Sequence, residues 1–150
     1  MSFRKEKKFR VTVSDFHKFQ CQLYKQGMES IFEPRTVTSI YFDTADLNMF
    51  NDSEEGVLPR KKVRIRWYDD NKVFSLENKT SSIEGRYKVT SKLENSFLEN
   101  DLLKRNLIDA QYGCIQPALK VSYKRSYFVF NEMRITFDKD ICYQNLKYAD

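Results

Sequence analysis

The sequence predicts an α+β domain with a β majority. Three observations carry that reading. Polar and apolar residues alternate over one run after another, the signature of half-buried strands, and two other stretches carry their apolar residues at helical spacing. Four glycines and three prolines in 150 residues leave few breaks, and neither repeats nor low-complexity tracts divide the chain. The expectation is one domain over residues 1–150, long enough for a single core.

Taken in order, Lys5 to Val13 reads as a strand with Phe9, Val11 and Val13 on one face and Glu6, Lys8 and Arg10 on the other. Ser14 or Asp15 is the expected N-cap of a helix whose stripe runs through Phe16, Phe19 and Leu23 toward Met28 and ends near Gly27. Val37–Phe42 is a short β-rich run, followed by a loop through Gly56 and Pro59. Strands follow at Lys61–Tyr68, Val73–Lys79 and Arg86–Thr90. Leu93, Phe97, Leu98, Leu102, Leu103 and Leu107 recur at helical spacing, so Leu93–Leu107 reads as a second helix serving as a lid or outer support. Beyond Pro117, Leu119–Phe130 is a long strand, and Asn131-Glu132 a tight turn into Met133–Asp138. The short connections make most of this pairing antiparallel.

One face of the predicted strands repeats a chemical theme. Arg60, Lys62, Arg64 and Arg66 fall on one side of their strand, and Val63, Ile65 and Trp67 on the other. The same side takes Glu6, Lys8 and Arg10 on the first strand, Glu77 and Lys79 on the fourth, and Arg86 and Lys88 on the fifth. It continues with Arg125 on the sixth and Arg134 with Asp138 on the seventh. Like charges stacked on a sheet face destabilise it, so a face built this way reads as an anion site. A solvated face or a nucleus-targeting basic run is the plainer alternative. Arginine's planar fork grips phosphate oxygens in pairs, and lysine supplies a mobile point charge. Glu6, Glu77 and Asp138 are acidic exceptions: singly they suit salt bridges, together they offer the oxygen ligands that Mg2+ or Mn2+ take. An open sheet with helices on its apolar face and a closed barrel with a charged lumen both explain the pattern.

Twenty-six Lys and Arg against twenty-one Asp and Glu leave a charge of +5, which favours nucleotides, nucleic acid, polyphosphate or acidic headgroups as partners. No run approaches the ~18 apolar residues of a membrane span, and Met1–Lys8 lacks the apolar stretch of a signal peptide. Cys21, Cys114 and Cys142 lie far apart, and the single His17 completes no zinc set, so a reducing, cytoplasmic setting is expected. His17 and Cys21, four apart on the first helix, read as packing residues.

Six segments in order resemble the motifs of the VTC (vacuolar transporter chaperone) domain family, within the CYTH-like triphosphate tunnel superfamily. Arg4-Lys5-Glu6-Lys7-Lys8 resembles its opening R-x-E-x-K, and Ser39-Ile40-Tyr41-Phe42-Asp43-Thr44 its S-x-Y-F-D-T. Lys62–Tyr68 is similar to K-x-R-x-R-x-Y, and Leu76–Lys79 to L-E-x-K. Pro117-Ala118-Leu119 with Tyr123-Lys124-Arg125 resembles P-x-L…Y-x-R, and Arg134–Asp138 resembles R-I-T-x-D. The resemblance covers nearly the whole chain.

It implies an antiparallel β-barrel, a triphosphate tunnel with helices packed outside and a basic lumen. The implied activity is polyphosphate polymerisation: the γ-phosphoryl of ATP passes to polyphosphate with Mn2+ or Mg2+ as cofactor. By position, Lys8, Arg64, Arg66, Lys79, Arg125 and Arg134 would bind phosphate, and Lys88 joins them on strand face alone. Lys8, Arg64, Arg66 and Lys79 would form the catalytic set, with Glu6 and Glu77 for metal or, for Glu6, for orienting Lys8. Tyr41 and Tyr123 suit hydrogen bonds in the lumen or packing. Family members continue past R-I-T-x-D into a strand bearing a metal-binding glutamate and often end in a serine-lysine pair. This sequence ends at Lys147–Asp150 with neither, and Asp140 lies too near the preceding strand to stand in. The expectation is therefore a barrel short of its last strand, its exposed edge either completed by a partner copy or the mark of a truncated or minimal member.

Two alternatives accompany this reading. A tripolyphosphatase or RNA triphosphatase would hydrolyse instead, but such relatives open with E-x-E-x-K, where Arg4 stands here. A noncatalytic sensor of polyphosphate or inositol phosphates is the other. Nucleic acid is not the expected partner, since Trp67 and the tyrosines suit a core or lumen better than base stacking.

Overall fold

Seven strands join in one open sheet in the computed structural model, which describes residues 6–69, 71–93 and 98–147. In chain order the elements are α1 (Val13–Lys25), β1 (Glu29–Asp43), α2 (Asn48–Glu55), β2 (Arg60–Tyr68) and β3 (Asn71–Ser82). They continue with β4 (Gly85–Lys92), α3 (Glu99–Leu102), β5 (Leu107–Asp109), β6 (Gly113–Phe130) and β7 (Met133–Asn145). Hydrogen-bonded neighbours run β4-β3-β2-β1-β6-β5, with β7 on β6. The pairs β1–β2, β2–β3, β3–β4 and β5–β6 are antiparallel.

The sheet is not closed, which corrects the expected barrel. β4 pairs with β3 alone, and among the described residues no ladder joins it to β5 or β7. Two local causes are visible. The far end of the path is β5, only 3 residues long. The predicted first strand, moreover, does not form: Glu6–Thr12 has no regular structure, and its Phe9 is 82% exposed. Alternation makes a strand only where a neighbour takes its backbone hydrogen bonds, and none does here. Arg4 and Lys5, part of that prediction, lie outside the described residues.

Three more sequence expectations shift. The cap of α1 is Thr12 rather than Ser14 or Asp15: its hydroxyl accepts the Asp15 N–H at 3.1 Å and donates to the Asp15 carboxylate at 2.7 Å. The loop before Gly56 contains α2, whose first turn is held by the buried Asp43. That carboxylate accepts the N–H groups of Thr44 at 2.7 Å, Met49 at 2.9 Å and Phe50 at 2.9 Å. Gly56, at φ 74, ends α2 in a left-handed conformation that glycine takes without strain. The Leu93–Leu107 helix shortens to the single turn of α3, and Leu107 instead pairs with Ile115 as strand. Residues 94–97 of that prediction lie outside the described residues.

Packing divides the chain into two compact units, one of Met1–Glu33 with Ser126–Phe137 and one of Pro34–Arg125 with Asp138–Asp150. In the first, α1 packs on the β6–β7 hairpin through Leu23, Met28 and Phe128, backed by Phe130, Ile135 and Phe137. Phe137 receives the rings of Phe16 at 5.0 Å and Phe128 at 5.4 Å, both edge-on. The expected turn at Asn131-Glu132 is present, with both residues at positive φ, as a two-residue hairpin requires.

In the second unit the core is one face of β1–β3, carrying Ile40, Phe42, Val63, Ile65, Trp67 and Phe74, covered by Met49 of α2, Leu102 of α3 and Ile115 of β6. No helix among the described residues is long and apolar enough to cross a membrane. Ile65 is fully buried between Ile40 and Leu76, its partners on either side. Ile65→Ala should therefore cost about 2–5 kcal/mol, read as a lower urea midpoint with unchanged slope.

Candidate functional site

The face of β1–β4 opposite this core is basic, and strand register arranges it in rows. Residues directly opposite one another share a face. One row is Arg60, Ser81 and Arg86, the next Lys62, Lys79 and Lys88. Then come Tyr41, Arg64, Glu77 and Thr90, and finally Ser39, Arg66, Ser75 and Lys92. Glu77 is the lone carboxylate among these rows.

Glu77 organises the centre. One of its oxygens, Oε2, accepts Arg64 Nε at 2.6 Å and Arg64 Nη2 at 2.5 Å, while the other, Oε1, accepts Lys88 Nζ at 2.6 Å. Arg64 also donates to the Tyr41 hydroxyl at 3.0 Å, its guanidinium 5.7 Å from that ring's centre. Arg66, buried, donates to Ser39 Oγ at 3.0 Å and to the Tyr123 hydroxyl at 3.3 Å. The Arg125 guanidinium lies 5.1 Å from the Tyr123 ring centre and forms a fork on Asp138, with bonds of 2.6 and 2.7 Å.

The charges perturb one another. Burial pushes the Glu77 carboxyl up, but the hydrogen bonds from Lys88 and Arg64 outweigh it and hold it down at about 2. Burial pushes Arg64 down, and Tyr41 and Glu77 more than reverse this. Lys79 is held below its ordinary value, first by burial and then by Arg64, with Lys88 and Arg66 adding to the effect and Glu77 opposing it. Among the described residues the Lys79 ammonium has no hydrogen-bond or ion-pair partner, although Lys62 and Lys88 flank it across the strands. Three cations in this row against the single Glu77 beside it leave the locus net positive.

The predicted site residues thus divide. Arg64, Arg66, Lys79, Lys88 and Glu77 share the face, and Arg125 joins them through Tyr123. Lys8, Glu6 and Arg134 belong to the other compact unit. There Lys8 and Glu6 pair with each other at 3.7 Å in the open, and Arg134 is exposed on β7. Lys92 and the row partners Ser39 and Ser75 went unselected in the sequence. The signal for Lys92 was available, since the alternation Arg86, Lys88, Thr90 simply continues past the predicted strand end.

No group of three His, Cys, Asp or Glu that could hold a metal occurs among the described residues. Mg2+-like cations commonly take one or two protein carboxylates and complete their shell with phosphate oxygens and water. Glu77 is a donor of that kind, though both its oxygens are already engaged by Arg64 and Lys88. The face therefore fits an ion carried by phosphates better than one held by protein alone.

The family model "VTC domain" matches residues 3–149. Vacuolar transporter chaperone complex subunit 4 of Schizosaccharomyces pombe is 30% identical over 90 residues. That match takes in 53% of this chain and 12% of the length of that protein.

The low Glu77 value carries a pH dependence. Because folding lowers it from 4.5 to about 2, its contribution to stability is whole above pH 4.5 and is lost as pH falls toward 2. The loss should amount to about 3 kcal/mol. In denaturation across that window, Glu77→Gln should flatten the acid limb and be less stable at pH 7, since it leaves Arg64 and Lys88 without their anion.

Proposed function

The chain belongs to the VTC domain family, and on that premise we propose that its basic sheet face holds a linear chain of phosphates, from ATP or polyphosphate, for phosphoryl transfer. The observation that carries this is Lys79. Among the described residues its ammonium has no hydrogen-bond or ion-pair partner; it is exposed between Lys62 and Lys88 and held below its ordinary value by desolvation and neighbouring cations. Such a group lacks an anion, and a phosphate oxygen supplies one. Arg64 and Lys88 then trade part of their hold on Glu77 for phosphate, and Arg66 presents its guanidinium from a buried seat.

The reaction proposed is the transfer of the ATP γ-phosphoryl to polyphosphate. A terminal polyphosphate oxygen attacks the γ-phosphorus, the bond to the β–γ bridging oxygen breaks, and ADP leaves with that electron pair. Phosphoryl transfer asks for positioning and charge neutralisation rather than a protein nucleophile. Fixed guanidinium and ammonium groups in rows supply both. Mn2+ or Mg2+ arriving with the nucleotide would neutralise further charge, and Glu77 is the carboxylate of this face that would face it.

A noncatalytic phosphate-chain sensor is the second reading, favoured by the open sheet and by Glu77 having both oxygens occupied. ADP release that requires both polyphosphate and divalent metal separates the enzyme from the sensor. Phosphate release without chain growth would identify a hydrolase.

Lys79→Met tests the proposal on two axes at once. Tripolyphosphate affinity should fall about tenfold, the worth of one charge-assisted contact, while the thermal midpoint holds or rises because crowding of cations is relieved. Unchanged affinity would remove Lys79, and with it the central support for the site.

A further inference from the structure

One side of β4 has no strand beside it. β4 pairs with β3, and no other strand among the described residues takes its outer edge. One bond fixes how its backbone is turned. The Leu93 N–H reaches the Phe74 carbonyl at 2.9 Å, in the same register that sets Asn78 against Val89 and Thr80 against Tyr87. Antiparallel bonding alternates along a strand, so Tyr87, Val89 and Ser91 turn their N–H and C=O groups toward β3. Arg86, Lys88, Thr90 and Lys92 turn theirs outward, where no described strand receives them. The register is unbroken from Gly85 to Lys92, so neither a bulge nor a proline blunts this edge. Its two faces differ. Arg86, Lys88 and Lys92 continue the basic face, and Arg86 and Lys92 are exposed, with no side-chain hydrogen bond or ion pair among the described residues. The other face carries Tyr87, 51% exposed, and Val89, 64% exposed. They lie on the side that α2 and α3 cover over β1–β3, yet no residue of β4 belongs to that core.

We infer that β4 receives an extended acidic segment of a partner protein as an added strand. Its acidic residues lie on the side of Arg86 and Lys92, and the residues between them are apolar and lie beside Tyr87 and Val89. Backbone hydrogen bonds to an open edge supply affinity in this mode of recognition, and alternate side chains supply specificity. Charge decides the occupant. Residues opposite one another in a sheet share a face, so antiparallel pairing with a second copy of β4 would set Arg86, Lys88 and Lys92 against their own counterparts. Cations on an edge strand guard it against such pairing. Toward an acidic strand the same cations are attractive. The inference stands apart from the phosphate reading, because its hydrogen bonds are made by the β4 backbone rather than by the rows of side chains.

The test uses the full chain at about 0.15 M salt and a pair of capped peptides of about ten residues, long enough to span a strand. One alternates glutamate with valine, the other lysine with valine. The glutamate peptide should bind saturably and slow hydrogen exchange at the N–H groups of Arg86, Lys88, Thr90 and Lys92. Thr90→Pro removes one outward donor and spares the bonds to β3, and should weaken that peptide about tenfold. Arg86→Glu should weaken it by about as much and strengthen the lysine peptide, which keeps the test decisive if Thr90→Pro impairs folding. Binding that leaves those amides unprotected, equal affinity for the two peptides, or no binding of the glutamate peptide would overturn the inference. So would protection of the same amides that grows with protein concentration in the absence of peptide, which would assign the edge to a second copy. Tripolyphosphate affinity, the readout of the phosphate reading, is measured separately, so either proposal can fail while the other stands.

Discussion

The Glu77 carboxylate is the interaction on which the basic face depends. It lies buried on β3 between Arg64 and Lys88, and so ties the middle strand of three to both neighbours by charge. Without it, the register of β2, β3 and β4 would stack arginine and lysine side chains against one another with no counter-charge inside the rows. Removing charges from water is costly, and a buried pair is better evidence of organisation than of net stability. Here the organisation is specific: one carboxylate orients two cations and leaves a third, Lys79, with no ion-pair partner among the described residues.

The opposite face makes this arrangement affordable. Ile40, Val63, Ile65, Trp67 and Phe74 are buried under Met49, Leu102 and Ile115, and apolar burial at roughly 25 cal/mol per Å2 is what holds the strands in register against the repulsion. The two faces are coupled by the two-residue period of a strand: a slip of one residue would turn Arg64 and Arg66 into the apolar core and Ile65 and Trp67 out of it. Asp43 contributes from the edge. By capping α2 it seats Met49 on the core, which gives a structural meaning to the Asp-Thr pair within the Ser39–Thr44 motif.

Much of this was legible in the sequence because it is periodic. Alternation at Arg60–Trp67 and Leu76–Lys79 located both the core and the cations, and Lys88, chosen on alternation alone, stands beside Glu77 and opposite Lys79. What failed were features that depend on a neighbour. Glu6–Thr12 alternates as cleanly as any strand but pairs with none among the described residues. The leucines of Leu93–Leu107 keep a helical spacing, yet Leu102, Leu103 and Leu107 reach the core from a single turn followed by a strand. Closure of the sheet is likewise a property of edges meeting in space, and neither spacing nor charge records it. The helix α2 was hidden because its start is fixed by a carboxylate outside it, Asp43, rather than by a cap at its first residue.

The most direct test of the account is competition at about 0.15 M salt, where exposed charges are largely screened: linear polyphosphate bound to the full chain is challenged with duplex DNA of equal total charge. The ordered rows of β2–β4 predict saturable one-to-one binding of polyphosphate that DNA does not displace. Equal displacement by DNA, with binding that vanishes as salt rises, would contradict it and reduce the face to a surface of diffuse positive charge.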